Sequence, residues 1–375
     1  MMINKTDKYF SQYSENTEII LAVVLVFIML LSFFGNVGML IVFYRNDKLW
    51  NSTNMLIVNI SLSGVLVTIF SMPFSLTSVV LGKWPFNEGG LCKVNAFATS
   101  QLLLTTILTH TVISLDKYFA VVKPFCRVMT VKRTLKMIMC VWFIAAVITI
   151  LPFFGIGRYT YNHTTLVCGV GFPEKHNVPE KIYLITLAVI GFVIPNMIMG
   201  HAYIQVFIAV KKHTQRLIQS SVTSFDVLIL QKRMIRTVVL SLVCFLLCWS
   251  PFCTLCLLAV MVKSIKDIPI GLGISAYWCG YLYSALNPLI ICSMSQRFHD
   301  GLIELVAILL YYPTLLFMFV CRKICSESNK TMEISSKPTF TEDSSLPLCL
   351  HMHYYTKDMK DILVTTNKNS LINAP

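Results

Sequence analysis

Seven long runs of apolar residues divide the chain, and they constrain its fold more than any other feature. A helix that crosses the roughly 30 Å hydrocarbon core of a bilayer needs about 20 such residues, and the shortest of the seven runs has 18. Because a span must satisfy its backbone hydrogen bonds internally, helices are expected. The sequence predicts an all-α bundle of seven transmembrane helices: Ile19–Phe43, Met55–Leu81, Val94–Val122, Met137–Phe154, Ile182–Val210, Thr237–Val262 and Ile268–Ile291.

The positions of the charged residues predict how this bundle is oriented. Only 13% of the 375 residues are charged, about half the proportion found in soluble proteins. The loops on one side of the bundle hold fourteen lysines and arginines, and those on the other side hold seven. Since cytoplasmic loops carry the basic excess, we expect an extracellular amino terminus, a cytoplasmic carboxyl terminus and a multi-pass plasma-membrane protein. The net charge of +13 therefore does not indicate a nucleic-acid partner.

Two of the thirteen cysteines differ from the rest because they lie on the extracellular side. Most of the others lie inside apolar runs, where cysteine behaves as a small hydrophobic residue. A disulfide between Cys92 and Cys168 would tie the start of the third helix to the second outer loop; two free thiols are the alternative. On the same side, Asn4 and Asn162 begin sequons and are candidate glycosylation sites.

Short motifs on successive runs resemble those of the rhodopsin-like (class A) G-protein-coupled receptors, from about Phe33 to Phe298. They are Gly35-Asn36, Asn59 with Pro73, Trp84 with Cys92, Asp116-Lys117-Tyr118 with Pro124-Phe125, Trp142 with Pro152, Pro195 with Tyr203, Phe245 with Cys248-Trp249-Ser250-Pro251, and Asn287-Pro288. Each motif is weak alone, but their order is a strong signal. The resemblance implies an orphan-type receptor that passes an extracellular signal to a heterotrimeric G protein.

The resemblance also implies an activation switch below the ligand pocket. Because proline removes a helix hydrogen bond, Pro251 would allow the inner half of the sixth helix to swing. The expected switch residues are Ile107, Asp116, Lys117, Tyr118, Pro195, Tyr203, Phe245, Trp249, Pro251, Asn287 and Pro288, and the expected G-protein contacts are Lys117, Pro124 and Phe125. The alternatives are two interfacial charges without a role and aromatic side chains that face lipid or fill the core.

Four positions depart from the family pattern. Gly64 stands where the family usually has a sodium-anchoring aspartate, so the oxygen cage for a hard cation is incomplete and we expect no metal. Lys117 replaces an arginine and lacks its planar fork of donors. Gln231 replaces an acid of many relatives, and Ile291 replaces the final tyrosine of the seventh helix. These changes predict a shifted resting equilibrium or an atypical G-protein output.

The ligand pocket is inferred from positions in the family. Thr99 stands where amine receptors have an aspartate, and Tyr281 stands where opsins have the retinal-binding lysine, so neither an amine salt bridge nor a retinal cofactor is expected. The other expected wall residues are Ser100, Leu103, Leu187, Phe192, Trp249, Phe252, Cys253, Cys256 and Tyr277. Such a lining favours a neutral, lipophilic small molecule. A peptide is the alternative, because residues 174–176 would supply a polar outer vestibule.

The sequence predicts four regions: an extracellular tail (1–18), the receptor domain (19–298), an apolar membrane-associated segment (299–325) and a disordered cytoplasmic tail (326–375). Hydropathy alone would make Leu302–Val320 an eighth span. The basic residues that follow it favour a membrane-surface or re-entrant segment in contact with membrane lipid, with Cys321 and Cys325 as candidate palmitoylation sites. Serine and threonine clusters in the tail imply, by resemblance, arrestin as a further partner.

Two other functions compete with that of a signalling receptor. A seven-helix pump or channel needs a chain of buried acids or a chromophore lysine, whereas the seven runs contain only one acid, Asp116. A receptor-like protein that modulates a partner receptor without coupling is compatible with the four departures. An enzyme is not expected, since no nucleophile–base pair or metal cluster stands out in the sequence.

Overall fold

The computed structural model describes residues 14–86, 89–126, 129–163, 165–173, 177–219, 225–262, 268–309 and 311. Within these residues, six helical stretches are long and apolar enough to cross a membrane, and the seventh apolar run forms a helix of 25 residues. The prediction of a seven-helix bundle is therefore confirmed. The spans are α1 (Glu15–Arg45); α2 (Ser52–Phe70) with α3 (Met72–Leu81); α4 (Gly90–Val122); α5 (Val131–Thr149) with a 3-10 turn (Leu151–Phe154); α6 (Val178–Ala188), a π turn (Val189–Val193) and α7 (Ile194–Gln219); α8 (Phe225–Met261); and α9 (Ile270–Met294).

Several helices extend beyond the apolar runs that predicted them. The first helix begins at Glu15, four residues before its apolar run and inside the predicted tail, because the Ser14 hydroxyl accepts a hydrogen bond from the Thr17 amide at 3.3 Å. The fourth span begins at Val131, where the Thr130 hydroxyl caps α5 by accepting from the Arg133 amide at 3.4 Å. Polar capping residues of this kind start a helix outside the hydrocarbon core, where hydropathy does not detect it.

The prolines act in different ways on the spans. Pro73 lies in the first turn of α3, where a missing amide costs little, and the second span is interrupted just before it at Ser71. Pro195 follows the π turn of the fifth span. Only Pro251 and Pro288 lie inside otherwise continuous described helices. These two positions, in the sixth and seventh spans, are the ones at which a proline hinge is expected.

The third span, α4, lies at the centre of the bundle. Most of its residues are buried, whereas those of the first span are mostly exposed. Large apolar side chains point outward from the outer helices, among them Phe27 and Phe34 on α1, Met197 on α7 and Leu247 on α8. An apolar exterior of this kind suits hydrocarbon rather than water.

A short antiparallel hairpin follows the fourth span, with β1 (Tyr159–Asn162) paired to β2 (Val167–Val170) and Tyr161 opposite Cys168. The bundle forms one compact unit that ends at Phe298, which is fully buried. Residues 296–309 are helical. The rest of the predicted membrane-associated segment, both candidate palmitoylation sites, Asn4 and the predicted tail from 326 onward lie outside the described residues.

Candidate functional site

The hairpin is fixed over the outer end of the bundle by a disulfide, an ion pair and several hydrogen bonds. Cys92 at the start of α4 and Cys168 in β2 form a disulfide, with their Cα atoms 5.4 Å apart, which confirms the predicted pair. At the fifth span, Arg158 Nε lies 3.3 Å from Glu180 Oε1, and the Glu180 side chain is only 6% exposed. The Tyr159 hydroxyl, just after Arg158, donates to the Thr149 carbonyl at 2.7 Å, and burial raises the pKa of Tyr159 to about 12. This hydroxyl therefore stays protonated at neutral pH.

The seventh span is bonded to the hairpin from below. The Val170 amide donates to the Tyr277 hydroxyl at 3.0 Å. A Cβ atom at Gly169 would overlap this hydroxyl, so a glycine is needed for the hairpin to approach Tyr277 so closely. The Tyr277 ring also packs edge-on against Phe252 of the sixth span, with centroids 5.8 Å apart. The second outer loop and the sixth and seventh spans thus meet above the predicted pocket.

A cavity of about 40 Å³ lies beneath the hairpin between the third, fifth, sixth and seventh spans. Its walls contain eight of the eleven predicted pocket residues: Thr99, Ser100, Leu103, Leu187, Phe192, Trp249, Phe252 and Tyr277. Ile107, predicted as a switch residue, lies in its wall too, as does Gly191, which the sequence did not single out. The lining is mostly apolar, but the volume is far below the roughly 300–1,000 Å³ of sites for drug-sized ligands.

Three predicted pocket residues do not line this cavity. Cys253 and Cys256 are buried within the core. Tyr281 belongs to a polar cluster in which the Ser71 hydroxyl lies 2.6 Å from Thr99 Oγ1 and 2.8 Å from the Tyr281 hydroxyl. Ser75 Oγ lies 2.9 Å from the same tyrosine oxygen. The two positions that carry charge in amine receptors and opsins are thus held here by neutral hydrogen bonds among the second, third and seventh spans.

A continuous series of contacts runs from the cavity toward the inner side of the bundle. Trp249 in the cavity wall packs against Phe245 with ring centroids 6.3 Å apart, and Phe245 packs edge-on against Tyr283 at 5.9 Å. The Tyr283 ring lies 5.1 Å from the ring of His110. His110 Nε2 lies 3.1 Å from Asn287 Oδ1. The sixth, seventh and third spans are therefore connected from the cavity to the Asn-Pro motif of α9.

His110 is a member of this series of contacts that the sequence analysis missed. It is 6% exposed within the apolar run of the third span. A polar, ionisable side chain at that depth is costly unless it has a partner, so its position in the run was the signal that could have identified it. Asn59 and Trp142 were recognised as motif residues, but their contact was not predicted: the Trp142 indole donates to Asn59 Oδ1 at 2.9 Å.

The place that the family pattern gives to an aspartate is filled by another side chain. A Cβ atom at Gly64 would lie 2.7 Å from Cγ and Nδ2 of Asn36. The side-chain amide of Asn36 donates through Nδ2 to the Ser32 carbonyl at 2.8 Å and to the Ser284 carbonyl at 3.2 Å. Gly64 is therefore required by the packing of Asn36, which connects the first span to the seventh.

The remaining predicted switch residues lie in the third, fifth and seventh spans. Asp116 is 5% exposed, and its Oδ2 accepts a hydrogen bond from the Thr53 hydroxyl of the second span at 2.7 Å. The neighbouring Lys117 is half-buried and forms no hydrogen bond or ion pair with another described residue. Tyr203 is buried, and so is Ile291. The structure thus fixes Asp116 by a neutral donor rather than by Lys117.

The residues predicted to contact a G protein lie at the inner face. Pro124 is exposed in the loop after α4, and Phe125 is 98% exposed. The side chain of Gln231 is not among the described ones. On the outer side, Asn162 ends β1 and is only 7% exposed, so its amide does not project into solvent; glycosylation there stays a prediction.

An outer cavity lies beneath a disulfide-tethered hairpin and is connected through a series of side chains to Asn287 of the seventh span, and this arrangement is that of a seven-helix membrane receptor. The family model described as 7 transmembrane receptor (rhodopsin family) matches residues 35–291, and the chain belongs to that family. It is 25% identical to a Gq-coupled rhodopsin of Mizuhopecten yessoensis, over 90% of this chain and 67% of the relative. It is 22% identical to a high-affinity lysophosphatidic acid receptor of Xenopus laevis, over 78% and 83% of the two chains.

A solved structure of squid rhodopsin has the same fold. It superimposes with a TM-score of 0.67 at 20% sequence identity and covers 80% of this chain and 88% of the squid chain. Family membership establishes a multi-pass membrane receptor of the G-protein-coupled type rather than an enzyme.

Proposed function

We propose that this receptor binds a neutral, lipophilic small molecule in the outer cavity and passes the signal to a heterotrimeric G protein. The observation that carries this proposal is the unbroken series of contacts from Trp249 in the cavity wall to Asn287 near the inner face. A ligand that moves Trp249 would disturb the packing of Phe245 and Tyr283, next to the proline of the sixth span. Such a coupled, close-packed series has discrete arrangements that a ligand can bias.

The ligand chemistry follows from the cavity wall. Most lining side chains are apolar, with hydroxyls at Thr99, Ser100 and Tyr277. No carboxylate or lysine lines the described wall, which disfavours a ligand held by an ion pair. The relatives are a rhodopsin and a lysophosphatidic acid receptor, so likeness alone does not indicate which ligand this chain binds.

The small volume of the cavity adds a step to ligand binding. A volume of about 40 Å³ is far below the several hundred Å³ that sites for drug-sized ligands occupy. A ligand of ordinary size must therefore widen the cavity, and the hydrogen bond from the Val170 amide to Tyr277 is one of the interactions that would be strained or broken if the hairpin lifts. The peptide alternative rests on residues 174–176, which lie outside the described residues.

The test is a panel of G-protein dissociation assays on cells that express the chain, with and without a library of neutral lipophilic compounds. Trp249→Phe is expected to weaken ligand-dependent dissociation while the receptor still reaches the cell surface. Leu247→Ala is the matched control, because Leu247 lies on the same helix and is 67% exposed on the lipid-facing side. Equal effects of the two variants at equal surface expression would contradict the proposed route.

The second candidate is a receptor-like protein that modulates a partner receptor without coupling. The observation in its favour is the replacement of switch groups: Asn36 fills the site beside Gly64, Lys117 stands in the arginine position, and Ile291 is buried where the family has a tyrosine. Silence of every G protein in the panel, with and without ligand, would favour this function. Ligand-dependent dissociation of any G protein would rule it out as the sole function.

Several further assignments remain proposals of the same kind. We propose Lys117 in the third span and Pro124 and Phe125 in the loop that follows it as G-protein contacts, and the exposure of Phe125 supports its insertion into a partner. Arrestin binding and membrane attachment through Cys321 and Cys325 rest on residues outside the described part of the chain.

A further inference from the structure

A second and much larger cavity opens at the inner end of the bundle. Its volume is about 740 Å³, which lies within the usual range for small-molecule sites. It is bounded by the first turn of α2, the end of α4, the loop that follows α4, and residues 295–297 after α9. The described side chains of the sixth span contribute none of the lining residues, and those of residues 225–235, in its inner half, are not among the described ones. The inner cavity shares no described lining residue with the outer ligand cavity.

The polar groups of this inner cavity favour an anion. Lys117 and Arg297 both line it, and Lys117 interacts electrostatically with the neighbouring Asp116 without forming an ion pair with it. The amino terminus of α2, a helix of 19 residues, adds the positive end of a helix dipole. The opposing charge is Asp116, which also lines the cavity, but its Oδ2 already accepts from the Thr53 hydroxyl at 2.7 Å. The described lining thus holds two cations and a positive helix terminus against one carboxylate, which leaves a net positive charge.

The positions of these groups also suit a phosphate rather than a diffuse counterion. Lys117 is half-buried in the cavity wall, whereas Arg297 is exposed at its rim, where Nη1 donates to the Lys48 carbonyl at 3.3 Å. A group that enters from the cytoplasmic side would meet Arg297 at the rim and Lys117 deeper inside. Basic pockets at the cytoplasmic side of a bundle are suited to the phosphorylated headgroups of anionic lipids.

We propose that this inner cavity is a regulatory site for a phosphate ester with several charges, either the headgroup of an inner-leaflet phosphoinositide or the equivalent soluble inositol phosphate. The site adjoins the loop that carries Phe125, so an occupant would alter the surface offered to a cytoplasmic partner. The inference does not depend on coupling to a G protein, because it concerns binding alone and is tested by binding alone.

The experiment uses the full-length receptor purified into lipid nanodiscs. Cys126 lines the cavity and is exposed, so its rate of modification by a maleimide, followed by peptide mapping, reports occupancy. One arm adds inositol trisphosphate to discs of neutral lipid, and the other incorporates phosphatidylinositol bisphosphate into the discs. We expect saturable protection of Cys126 in at least one arm. Protection in both arms indicates that the soluble headgroup suffices, and protection only by the lipid identifies a membrane ligand.

Three variants distinguish a specific binding site in the cavity from general electrostatic attraction to the basic inner face. Lys117→Gln is expected to weaken protection about 10-fold or more, the usual effect of losing a hydrogen bond between charged groups. Arg297→Gln should weaken it less, because that side chain is exposed. Lys123→Gln is the matched control: it removes the same charge from the same face, but Lys123 lies over the Tyr118 ring at 5.9 Å and does not line the cavity.

Two results would overturn the proposal. One is equal weakening by Lys117→Gln and Lys123→Gln, which would mean that the phosphate is attracted by the whole basic face. The other is an unchanged rate of Cys126 modification in both arms with the native receptor. A melting curve for each variant shows whether the fold is retained, and Arg297→Gln provides an independent reading if Lys117→Gln does not fold.

Discussion

Alanine at Gly64 is a direct test of the packing that replaces the family's usual aspartate. The new Cβ atom would lie 2.7 Å from Cγ and Nδ2 of Asn36, closer than such atoms approach in folded proteins. Asn36 is fully buried, so it cannot turn into solvent. It must shift within the core, and its hydrogen bonds to the Ser32 and Ser284 carbonyls would be lost or strained.

The size of the effect follows from these contacts. Two lost hydrogen bonds cost about 1 kcal/mol each, and overpacking a tight core adds about 1–3 kcal/mol. The better helix propensity of alanine offsets about 1 kcal/mol of this. The expected loss of stability for Gly64→Ala is therefore about 2–4 kcal/mol. With an unfolding entropy of about 2.1 cal/mol/K per residue over the roughly 285 residues of the bundle, such a loss lowers Tm by roughly 3–7 °C.

The assay is thermal unfolding of the detergent-purified receptor, followed by size-exclusion fluorescence. Gly200→Ala is the matched control, because no atom lies within 4 Å of a Cβ placed there, and its Tm should stay the same or rise slightly. Adding Asn36→Ala to Gly64→Ala should recover part of the loss, with a coupling energy of at least about 1 kcal/mol. An equal Tm for Gly64→Ala and Gly200→Ala would refute the packing argument. Strictly additive effects of Gly64→Ala and Asn36→Ala on stability would refute it too.

Three further outcomes are expected. Cys92→Ser, Cys168→Ser and the double variant should each lower stability by about 2–5 kcal/mol, because each removes the same disulfide. Unequal losses of Tm among the three would show a separate role for one of the thiols. His110→Leu should leave the Asn287 side chain without its partner, costing about 1–3 kcal/mol and altering basal G-protein dissociation, while unchanged melting would contradict the importance of that hydrogen bond. Phe125→Ala should change stability by less than about 0.5 kcal/mol, because the ring is exposed, yet reduce G-protein dissociation if Phe125 contacts the partner.

Much of the fold could be predicted because hydropathy and helix formation in a membrane have the same cause. Hydrocarbon excludes unpaired backbone groups, so each long apolar run must be a helix. The ends of helices were less predictable, since Ser14 and Thr130 start them through local side-chain hydrogen bonds that no apolar count includes. The disulfide was predictable because only Cys92 and Cys168 stood out on the extracellular side.

The candidate site was only partly predictable for a related reason. Position along a helix indicates which side chains face the interior, so eight pocket residues were placed together from the sequence. Position along a helix does not indicate how closely two helices approach each other or with which residues the polar groups form hydrogen bonds. The exclusion of Tyr281 from the cavity depends on bonds to Ser71 and Ser75, and the role of His110 depends on its distance from Asn287. Both are set by packing between spans that are far apart in sequence.

Hydrogen bonds of Asn36 and His110, in the interior between the two cavities, connect the helices in the absence of the aspartate that the family usually has at position 64. Asn36 connects the first span to the seventh, and His110 connects the third span to Asn287 of the seventh. These hydrogen bonds connect the first, third and seventh spans through amides and an imidazole, with no carboxylate at position 64. Hydrogen bonds between neutral groups are roughly half as strong as those to a charged group. The inactive arrangement should therefore be separated from others by a smaller free-energy difference than in relatives that use an acid. A shifted resting equilibrium, which the four departures together predict, would then have one physical origin in the neutral hydrogen bonds of Asn36 and Asn287.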